Sequence, residues 1–238
     1  MKKVLDTYSS KNDINIKQIV AYKDNMLEIE EYRDGFKKDD TMNVMSVTKS
    51  VTSLLIGIAI DQGLIKSVDD LVMDYYKETY TPKRGEKTIF EVTIRHLLTM
   101  TAPYKGKSEP WTKVCTSEDW TLTTMDVLGG RKGITNGLMV LNNGVYNNAR
   151  IVSEHWIEMM TKSYISTDEK FGNQDYGFLW WLPHRTKDVI AAIGDGGNII
   201  YVDRKNQIVV AITAHFKPMV FDRVEYIEKN IVEALTER

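Results

Sequence analysis

The sequence is poor in the residues that mark several specialised protein classes. Its 238 residues include one cysteine, Cys115, and five prolines. One cysteine allows no disulfide within the chain and cannot build a zinc site, and the four histidines show no metal-ligand spacing. We therefore expect no metal and no cofactor. The longest apolar run, near residues 54–60, is far shorter than the roughly 20 residues that span a bilayer.

An excess of charge of one sign is also missing. The chain carries 31 basic and 33 acidic residues, for a net charge of −2, and no run of five like charges occurs. This balance disfavours a nucleic-acid or membrane partner and favours a small-molecule substrate, neutral or anionic. Residues 1–13 are polar and lack the apolar stretch of a signal peptide. We expect a cytoplasmic protein, although an exported protein without its leader would look the same.

Strand-forming runs lie at the two ends of the chain. Ile16 to Tyr22 and Met26 to Tyr32 flank a turn at Lys23 to Asn25, which predicts a hairpin. Three more β-rich runs are predicted towards the carboxyl end, at residues 188–194, 198–203 and 207–215. The composition, 42% hydrophobic and 27% charged, is ordinary for a globular protein, and the length suits one sizeable domain.

Helix signals separate these strands. A long apolar helix is predicted from Val47 to Gln62, ended by Gly63. Capping residues predict further helix starts at Ser67, Thr93 and Ser153. Apolar residues at helical spacing indicate a final amphipathic helix from Val220 to Leu235. We therefore expect the α/β (α+β type) fold class, with one antiparallel β-sheet that joins both ends of the chain and is flanked by helices.

The first helix begins with a pair of residues that could carry nucleophilic chemistry. Ser46 and Lys49 are three residues apart, so one helical turn places both side chains on the same face. A serine hydroxyl needs a neighbouring base to become a nucleophile, and an apolar environment can make a lysine amine such a base. The backbone N–H groups at a helix start also favour an anionic intermediate.

A structural explanation for the pair is also available. A serine at a helix start often caps the helix, and a lysine one turn later is often solvated. Ser-x-x-Lys alone occurs often by chance. However, residues 54–60 are apolar all round, which predicts a helix buried on every side and a functional reason for a lysine in its first turn.

Longer motifs resemble the serine β-lactamase and penicillin-binding protein superfamily, with a class C-like branch of esterases and D-amino-acid peptidases as the closest group. The segments that carry the resemblance occur in the family's order: residues 45–57, 63–72, 93–101, 142–157, 176–181 and 194–202. Together they extend over most of the chain. The resemblance implies a single β-lactamase-like, transpeptidase-like domain over residues 1–238.

The resemblance also implies roles for individual residues. Ser46 would be the acylated nucleophile and Lys49 its proton acceptor. The triplet Asp195, Gly196 and Gly197 falls where the family has Lys-Thr-Gly or His-x-Gly on the strand that borders the site. The backbone N–H groups of Ser46 and of Asn198, the residue after this triplet, would form the oxyanion hole.

The sequence departs from the family in the region of the second motif. Family members carry a longer helical insert with a Tyr-x-Asn or Ser-x-Asn loop, and residues 102–135 look like a shortened remnant of that reduced all-helical region. Tyr146, Asn147 and Asn148 match Tyr-x-Asn literally, but they lie in a later hairpin, so we interpret the match as non-catalytic. Tyr104 lies too close to the His96 helix to replace the motif. A missing tyrosine would slow turnover by removing a proton relay.

The second departure is Asp195, which stands where the family has a cation. An aspartate would repel an anionic substrate group, which favours esters and amides over β-lactams. A purely structural role, with Asp195 holding a turn, is the alternative. Glycines at 196 and 197 suit a strand edge that a ligand approaches closely.

Two functional hypotheses follow from these observations. The first is a weak serine hydrolase that acts on small esters, amides or β-lactams through an acyl-Ser46 intermediate. The second is a catalytically impaired binding or scaffold protein that retains the fold without the lid and the tyrosine motif. A shortened lid would expose apolar surface, so we also expect a homodimer.

Overall fold

The structure, a computed structural model, describes residues 14–75, 91–101, 140–169, 172–184, 188–217 and 223–237. Residues 102–135, which include Cys115 and Tyr104, lie outside these ranges. The strands, in chain order, are β1 (Ile16–Lys23), β2 (Met26–Tyr32), β3 (Val145–Tyr146), β4 (Ala149–Arg150), β5 (Ile165–Ser166), β6 (Asp175–Tyr176), β7 (Trp181–Leu182), β8 (Val189–Gly194), β9 (Asn198–Asp203) and β10 (Ile208–Ala214). The helices are α1 (Val47–Asp61), α2 (Ile94–Leu98), α3 (Glu154–Met160), α4 (Arg223–Ile227) and α5 (Glu233–Thr236), with a π-helical turn, Glu228–Val232, between the last two.

Eight of the strands form one antiparallel sheet in the order β2-β1-β10-β9-β8-β7-β6-β5. Strand β1 pairs with β10, so the sheet joins both ends of the chain, as the sequence predicts. The hairpin between β1 and β2 turns at Asp24 and Asn25, which have φ values of 50° and 62°. Positive φ at both central residues is the pattern of tight hairpin turns, and Asn and Asp tolerate it well. The antiparallel sheet flanked by helices is confirmed.

The central strands are buried on both faces. All six residues of β9 are buried. Ile200 and Val202 join a core with α1 and α3, whereas Ile199 and Tyr201 join a second core beneath α4 and α5. Successive strand side chains point to opposite faces, so a strand with helices on both sides needs a continuous apolar run. The sheet is therefore the middle layer of three.

Most helix ends follow the capping signals of the sequence. Thr93 and His96 form a reciprocal capping box at α2, and the Ser153 hydroxyl accepts the Trp156 N–H at α3. The signal at Ser67 is different, because the Asp70 carboxylate accepts the N–H groups of Lys66 and Ser67 and closes a turn. A short 3₁₀ helix follows at Val72–Tyr75. The predicted helix start at Ser67 is therefore wrong.

Helix α1 lies on one face of the sheet instead of inside a core. Its inner face is buried at residues such as Ser50, Leu54 and Gly57. Its outer face includes Lys49, which is exposed, and Leu55, which is 50% exposed. The prediction that this helix is buried on every side is wrong, because its apolar outer residues are not matched by a covering layer in the described part of the chain.

Gly57 lets α3 pack tightly against α1. A Cβ atom at this position would lie 2.3 Å from Cδ1 and Nε1 of Trp156, which is a fully buried side chain. Only a residue without a side chain allows this approach. The indole of Trp156 in turn contacts the ring of Phe178, at a centroid separation of 5.6 Å.

Replacing Gly57 by alanine should destabilise the protein. Overpacking costs about 1–3 kcal/mol, and the gain in helix propensity returns about 1 kcal/mol, so we expect the Gly57→Ala free energy of unfolding to fall by about 1 kcal/mol. Urea denaturation measures this change. The matched control, Thr52→Ala on the exposed face of α1, should change the free energy by less than about 0.5 kcal/mol. Equal stability of the two variants would contradict the packing argument.

Candidate active site

Ser46 and Lys49 are in direct contact at the start of α1. The Lys49 Nζ donates a hydrogen bond to the Ser46 Oγ over 2.7 Å. Ser46 occupies the N-cap position, but its side chain makes no capping hydrogen bond to the helix backbone. The hydroxyl therefore contacts the lysine and does not cap the helix.

The last residue of β8 positions Ser46 from the other side. A Cβ atom on Gly194 would lie 2.3 Å from the Val44 carbonyl oxygen and 3.1 Å from the backbone nitrogens of Ser46 and Val47. Because Gly194 lacks a Cβ, the end of a central strand can lie directly against the backbone that carries the serine.

A cavity of about 440 Å³ opens beside this pair. Its described lining combines apolar side chains from several elements with a few hydroxyl groups, and Lys49 is the only charged residue among them. The lining residues are Ser46, Lys49, Ser50, Thr99, Met100, Thr101, Ile165, Thr167, Tyr176, Leu179, Trp181 and Ile193. This volume and composition are typical of small-molecule sites.

Backbone strain concentrates around the cavity. Within the described ranges, three residues other than Gly, Asp, Asn and Gln have positive φ: Met45 at 50°, Met100 at 60° and Leu179 at 60°. Met45 precedes Ser46, while the other two line the cavity. Left-handed backbone costs about 1–3 kcal/mol at such residues and persists where the surroundings enforce it, often at functional sites.

Two hydrogen bonds hold Leu179 in its strained conformation. The Ser50 hydroxyl donates to the Leu179 carbonyl over 2.5 Å, and the Leu179 N–H donates to the Leu98 carbonyl over 2.8 Å. Ser50 lies one residue after Lys49 on α1, and Leu98 ends α2. The same wall of the cavity is therefore tied to both helices.

An ion pair fixes α2 beside the cavity. The Arg95 guanidinium donates two hydrogen bonds to the Asp69 carboxylate, over 2.7 and 2.9 Å. This contact lowers the pKa of Asp69. Arg95 also lies within 6 Å of the ring centroids of Tyr164 and Phe178. Thr99, Met100 and Thr101, which follow α2, reach the cavity from this anchored helix.

The residues predicted for the third motif do not line the cavity. Gly196 and Gly197 have φ values of 80° and 88° in a 3₁₀ turn between β8 and β9, and the Asp195 side chain is exposed. The buried Asn198 side chain donates to the Asp195 carbonyl and accepts the Ala214 N–H. These four residues form the turn and the start of β9, whereas Ile193 lines the cavity and Gly194 lies against the Ser46 backbone.

The literal Tyr-x-Asn match also lies elsewhere. Tyr146 ends β3, and Asn147 and Asn148 form the tight turn to β4 with φ values of 48° and 62°. None of the three belongs to the described cavity lining. This hairpin therefore supplies no second-motif side chain to the described cavity lining.

Sequence reasoning missed Tyr176, Leu179 and Ile193 as cavity residues. The run from Tyr176 to Trp181 was a visible motif, but nothing in it separates cavity residues from core residues. The structure makes this separation, because Trp180 is fully buried in the core whereas Trp181 lines the cavity. One signal in the sequence could have indicated the cavity wall: the bulky Leu179 lies near a sharp turn and is followed by two aromatic residues, Trp180 and Trp181.

Tyr176 supplies the one phenol of the described cavity lining, and it is largely buried. It is 7% exposed, and its ring packs edge-on against Trp181 at a centroid separation of 4.7 Å. Burial raises the pKa of Tyr176 to about 12. Its hydroxyl therefore stays protonated at physiological pH and can act as a hydrogen-bond donor.

The described residues hold no group of three or more His, Cys, Asp or Glu side chains arranged to bind a metal ion. In the same ranges, no helix combines the length and the apolar character required to cross a membrane.

Comparisons with known proteins agree with this arrangement. The family profile described as Beta-lactamase matches residues 18–132. No curated protein sequence matches the chain. Among solved structures, EstCE1, described as a hydrolase with promiscuous acyltransferase activity, has a TM-score of 0.70 at 12% identity, covering 99% of this chain and 97% of that one.

Two more solved structures share the fold. A family VIII carboxylesterase has a TM-score of 0.65 at 14% identity, covering 90% of this chain and 91% of its own. An octameric penicillin-binding protein homologue from Pyrococcus abyssi has a TM-score of 0.64 at 16% identity, covering 95% and 74% respectively. The family profile and these folds agree with the motifs of the sequence. Residues 18–132 match the Beta-lactamase family, and the chain shares the fold of β-lactamases and penicillin-binding proteins.

Proposed function

We propose that this protein is a serine hydrolase that acts on small esters, amides or β-lactams through an acyl-Ser46 intermediate. The observation that carries the proposal is the 2.7 Å contact between Ser46 Oγ and Lys49 Nζ beside a cavity of small-molecule size. A hydroxyl with an adjacent base is the minimal arrangement for nucleophilic catalysis.

In the acylation step, Lys49 acts as the general base. It takes the Ser46 hydroxyl proton while Oγ attacks the substrate carbonyl carbon, and the carbonyl oxygen becomes an oxyanion. When the oxyanion collapses, the bond to the leaving group breaks and the proton on Lys49 passes to the departing oxygen or nitrogen. In the second half, water attacks the acyl-serine, Lys49 accepts its proton, and the Ser46 oxygen is released and reprotonated.

The oxyanion needs backbone donors near Ser46. We propose the N–H of Ser46 and the N–H that follows Gly194, which belongs to Asp195. Support comes from the position of Gly194 against the Ser46 nitrogen. The resemblance instead implies the N–H of Asn198, which begins β9 and lies outside the described cavity lining.

Turnover should be slow. Lys49 is solvent-exposed, and the described lining offers no Tyr-x-Asn motif to relay protons. Solvent weakens electrostatic interactions, and a missing general acid or base costs about two to four orders of magnitude in rate. We therefore expect a burst of acylation followed by slow deacylation.

The second candidate function is non-catalytic binding in the same cavity. The exposure of Lys49 favours it, because a solvated lysine is a poor base. Complete absence of acylation together with ligand binding would support this candidate and contradict the hydrolase.

Replacing Ser46 by alanine should abolish covalent labelling. Wild-type protein treated with a fluorophosphonate or a penicillin should gain one adduct by intact-mass spectrometry, and Ser46→Ala should gain none, because no other hydroxyl has a lysine partner in the described cavity. Ser163→Ala, on the exposed surface, is the matched control and should label like wild type. Labelling that survives in Ser46→Ala would assign the nucleophile elsewhere.

Replacing Lys49 by arginine should preserve the charge but not the chemistry. Arginine does not deprotonate in proteins, so it cannot act as the base. We expect the acylation rate to fall by about two to four orders of magnitude, with the free energy of unfolding nearly unchanged. Stopped-flow measurement of the burst with a p-nitrophenyl ester tests this. An unchanged rate would show that Lys49 is not the base.

Replacing Gly194 by alanine should disrupt the site from the sheet side. The new Cβ would overlap the Val44 carbonyl and displace the Ser46 backbone, so we expect acylation to slow by about 100-fold or more. Gly57→Ala is the matched control, because it overpacks α1 away from the cavity lining and should slow acylation less than tenfold. Equal rates in the two variants would contradict the role of Gly194.

The expected homodimer and cytoplasmic location stay predictions. Octameric assembly is a property of the Pyrococcus abyssi homologue, and we propose only that this chain also self-associates. Exposed apolar side chains such as Leu55 and Leu64 support self-association.

A further inference from the structure

Most side-chain hydroxyls in the cavity are already engaged by the protein. The Ser46 oxygen accepts a hydrogen bond from Lys49, and the Ser50 hydroxyl donates to the Leu179 carbonyl over 2.5 Å. The Ser50 hydrogen is therefore not available to orient a substrate, and the Ser46 hydrogen is the proton that the proposed reaction removes. Ser46 is reserved for the reaction itself.

The three threonines of the lining are committed in the same way. The Thr99 hydroxyl donates to the Arg95 carbonyl over 2.9 Å and lies 2.8 Å from the Thr101 hydroxyl. With Thr99 as donor to the carbonyl, Thr101 is the donor in the second contact. The Thr167 hydroxyl donates to the Gln174 carbonyl over 2.7 Å. Each of these hydroxyl hydrogens is donated within the protein, so none is free to bind a ligand acceptor.

Tyr176 is the exception among these hydroxyls. Its side chain is more than nine-tenths buried, it lines the same cavity as Ser46, and no described group forms a hydrogen bond with its hydroxyl. The ring is fixed by strand β6, between Ile165 on β5 and Trp181 on β7. The hydroxyl oxygen is not among the fully buried polar atoms without a partner, so it is accessible from the cavity and can donate to a ligand acceptor.

We propose that the Tyr176 hydroxyl orients the substrate by donating a hydrogen bond to an acceptor oxygen away from the scissile carbonyl. The inference rests on the proposed acylation of Ser46. The rest of the substrate would be uncharged and apolar, matching the side chains of Met100, Leu179 and Ile193. The substrate class is therefore an ester or amide with an apolar body and one additional ketone, ether or amide oxygen.

The charges of the site favour an uncharged acceptor over a carboxylate. Lys49 is the only cation in the described lining, and it is engaged with the Ser46 oxygen. The raised pKa of Tyr176 has burial as its cause, so the same surroundings disfavour an anion next to the phenol. Pockets that bind mainly by apolar contact use a few such polar groups to fix orientation.

The test compares three p-nitrophenyl esters of equal chain length: hexanoate, 4-oxohexanoate and 5-oxohexanoate. The rate constant for acylation is measured for wild type and for Tyr176→Phe, which retains the ring and its contact with Trp181. We expect the substitution to slow at least one keto ester about tenfold relative to hexanoate, because one hydrogen bond is lost. Hexanoate itself should react at nearly the wild-type rate.

Two controls separate this role from a structural one. Tyr146→Phe, outside the cavity lining, should leave all three rates unchanged. A fourth ester, p-nitrophenyl hydrogen glutarate, carries a carboxylate where the others carry a ketone or a methylene chain. Wild type should acylate more slowly with this ester than with the better keto ester.

Four results would overturn the proposal. Equal slowing of all esters by Tyr176→Phe would indicate a structural role, and slowing of none of them would show that the hydroxyl does not contact the substrate. Preference for the carboxylate ester would contradict an uncharged acceptor. Failure of every ester to acylate Ser46 in wild type would overturn the hydrolase together with this proposal, and the Ser46→Ala comparison identifies that case.

Discussion

The approach of Gly194 to the backbone of residues 44–47 is the contact on which the candidate site depends. A Cβ atom added to Gly194, at the end of a central strand, would lie 3.1 Å from the nitrogen of Ser46. Strand β8 pairs with β9 along its whole length, up to Gly194 opposite Asn198, and with β7 at Ala191, so the sheet supports its end. A single added methyl group would separate the serine from this support. The position of Ser46 therefore depends on the sheet as much as on helix α1.

Around the cavity, strained backbone conformations occur together with hydrogen bonds that hold the chain in place. Met45, Met100 and Leu179 each adopt left-handed backbone that bulky residues avoid. Leu179 is held in place by its bonds to Ser50 and Leu98. Contacts with α1 and α2 thus keep the backbone of the cavity wall in an unfavourable conformation. Such strain is expected at a site shaped to bind a ligand. The open phenol of Tyr176 fits the same interpretation.

The features that the sequence predicted correctly are those that interactions between nearby residues determine. The hairpin at Asp24, the capping box at Thr93 and the adjacency of Ser46 and Lys49 all depend on residues a few positions apart. The third-motif residues Asp195, Gly196 and Gly197 were assigned by resemblance, and their site role stays a prediction; in the structure Gly196 and Gly197 adopt positive φ in a turn between β8 and β9. The position of Gly194 against Ser46 depends on residues nearly 150 positions apart, and no local spacing encodes it. The burial of α1 was overestimated for the same reason, since a covering layer is a tertiary property.

Peptide mapping of an acylated sample tests the central claim most directly. Trypsin should release residues 39–49 as one peptide, and Ser46 is its only serine. After a short incubation with a penicillin or a fluorophosphonate, the account predicts that the added mass is found on this peptide, with fragment ions that assign it to Ser46. An adduct confined to any other peptide, or no adduct at saturating probe, would contradict the account.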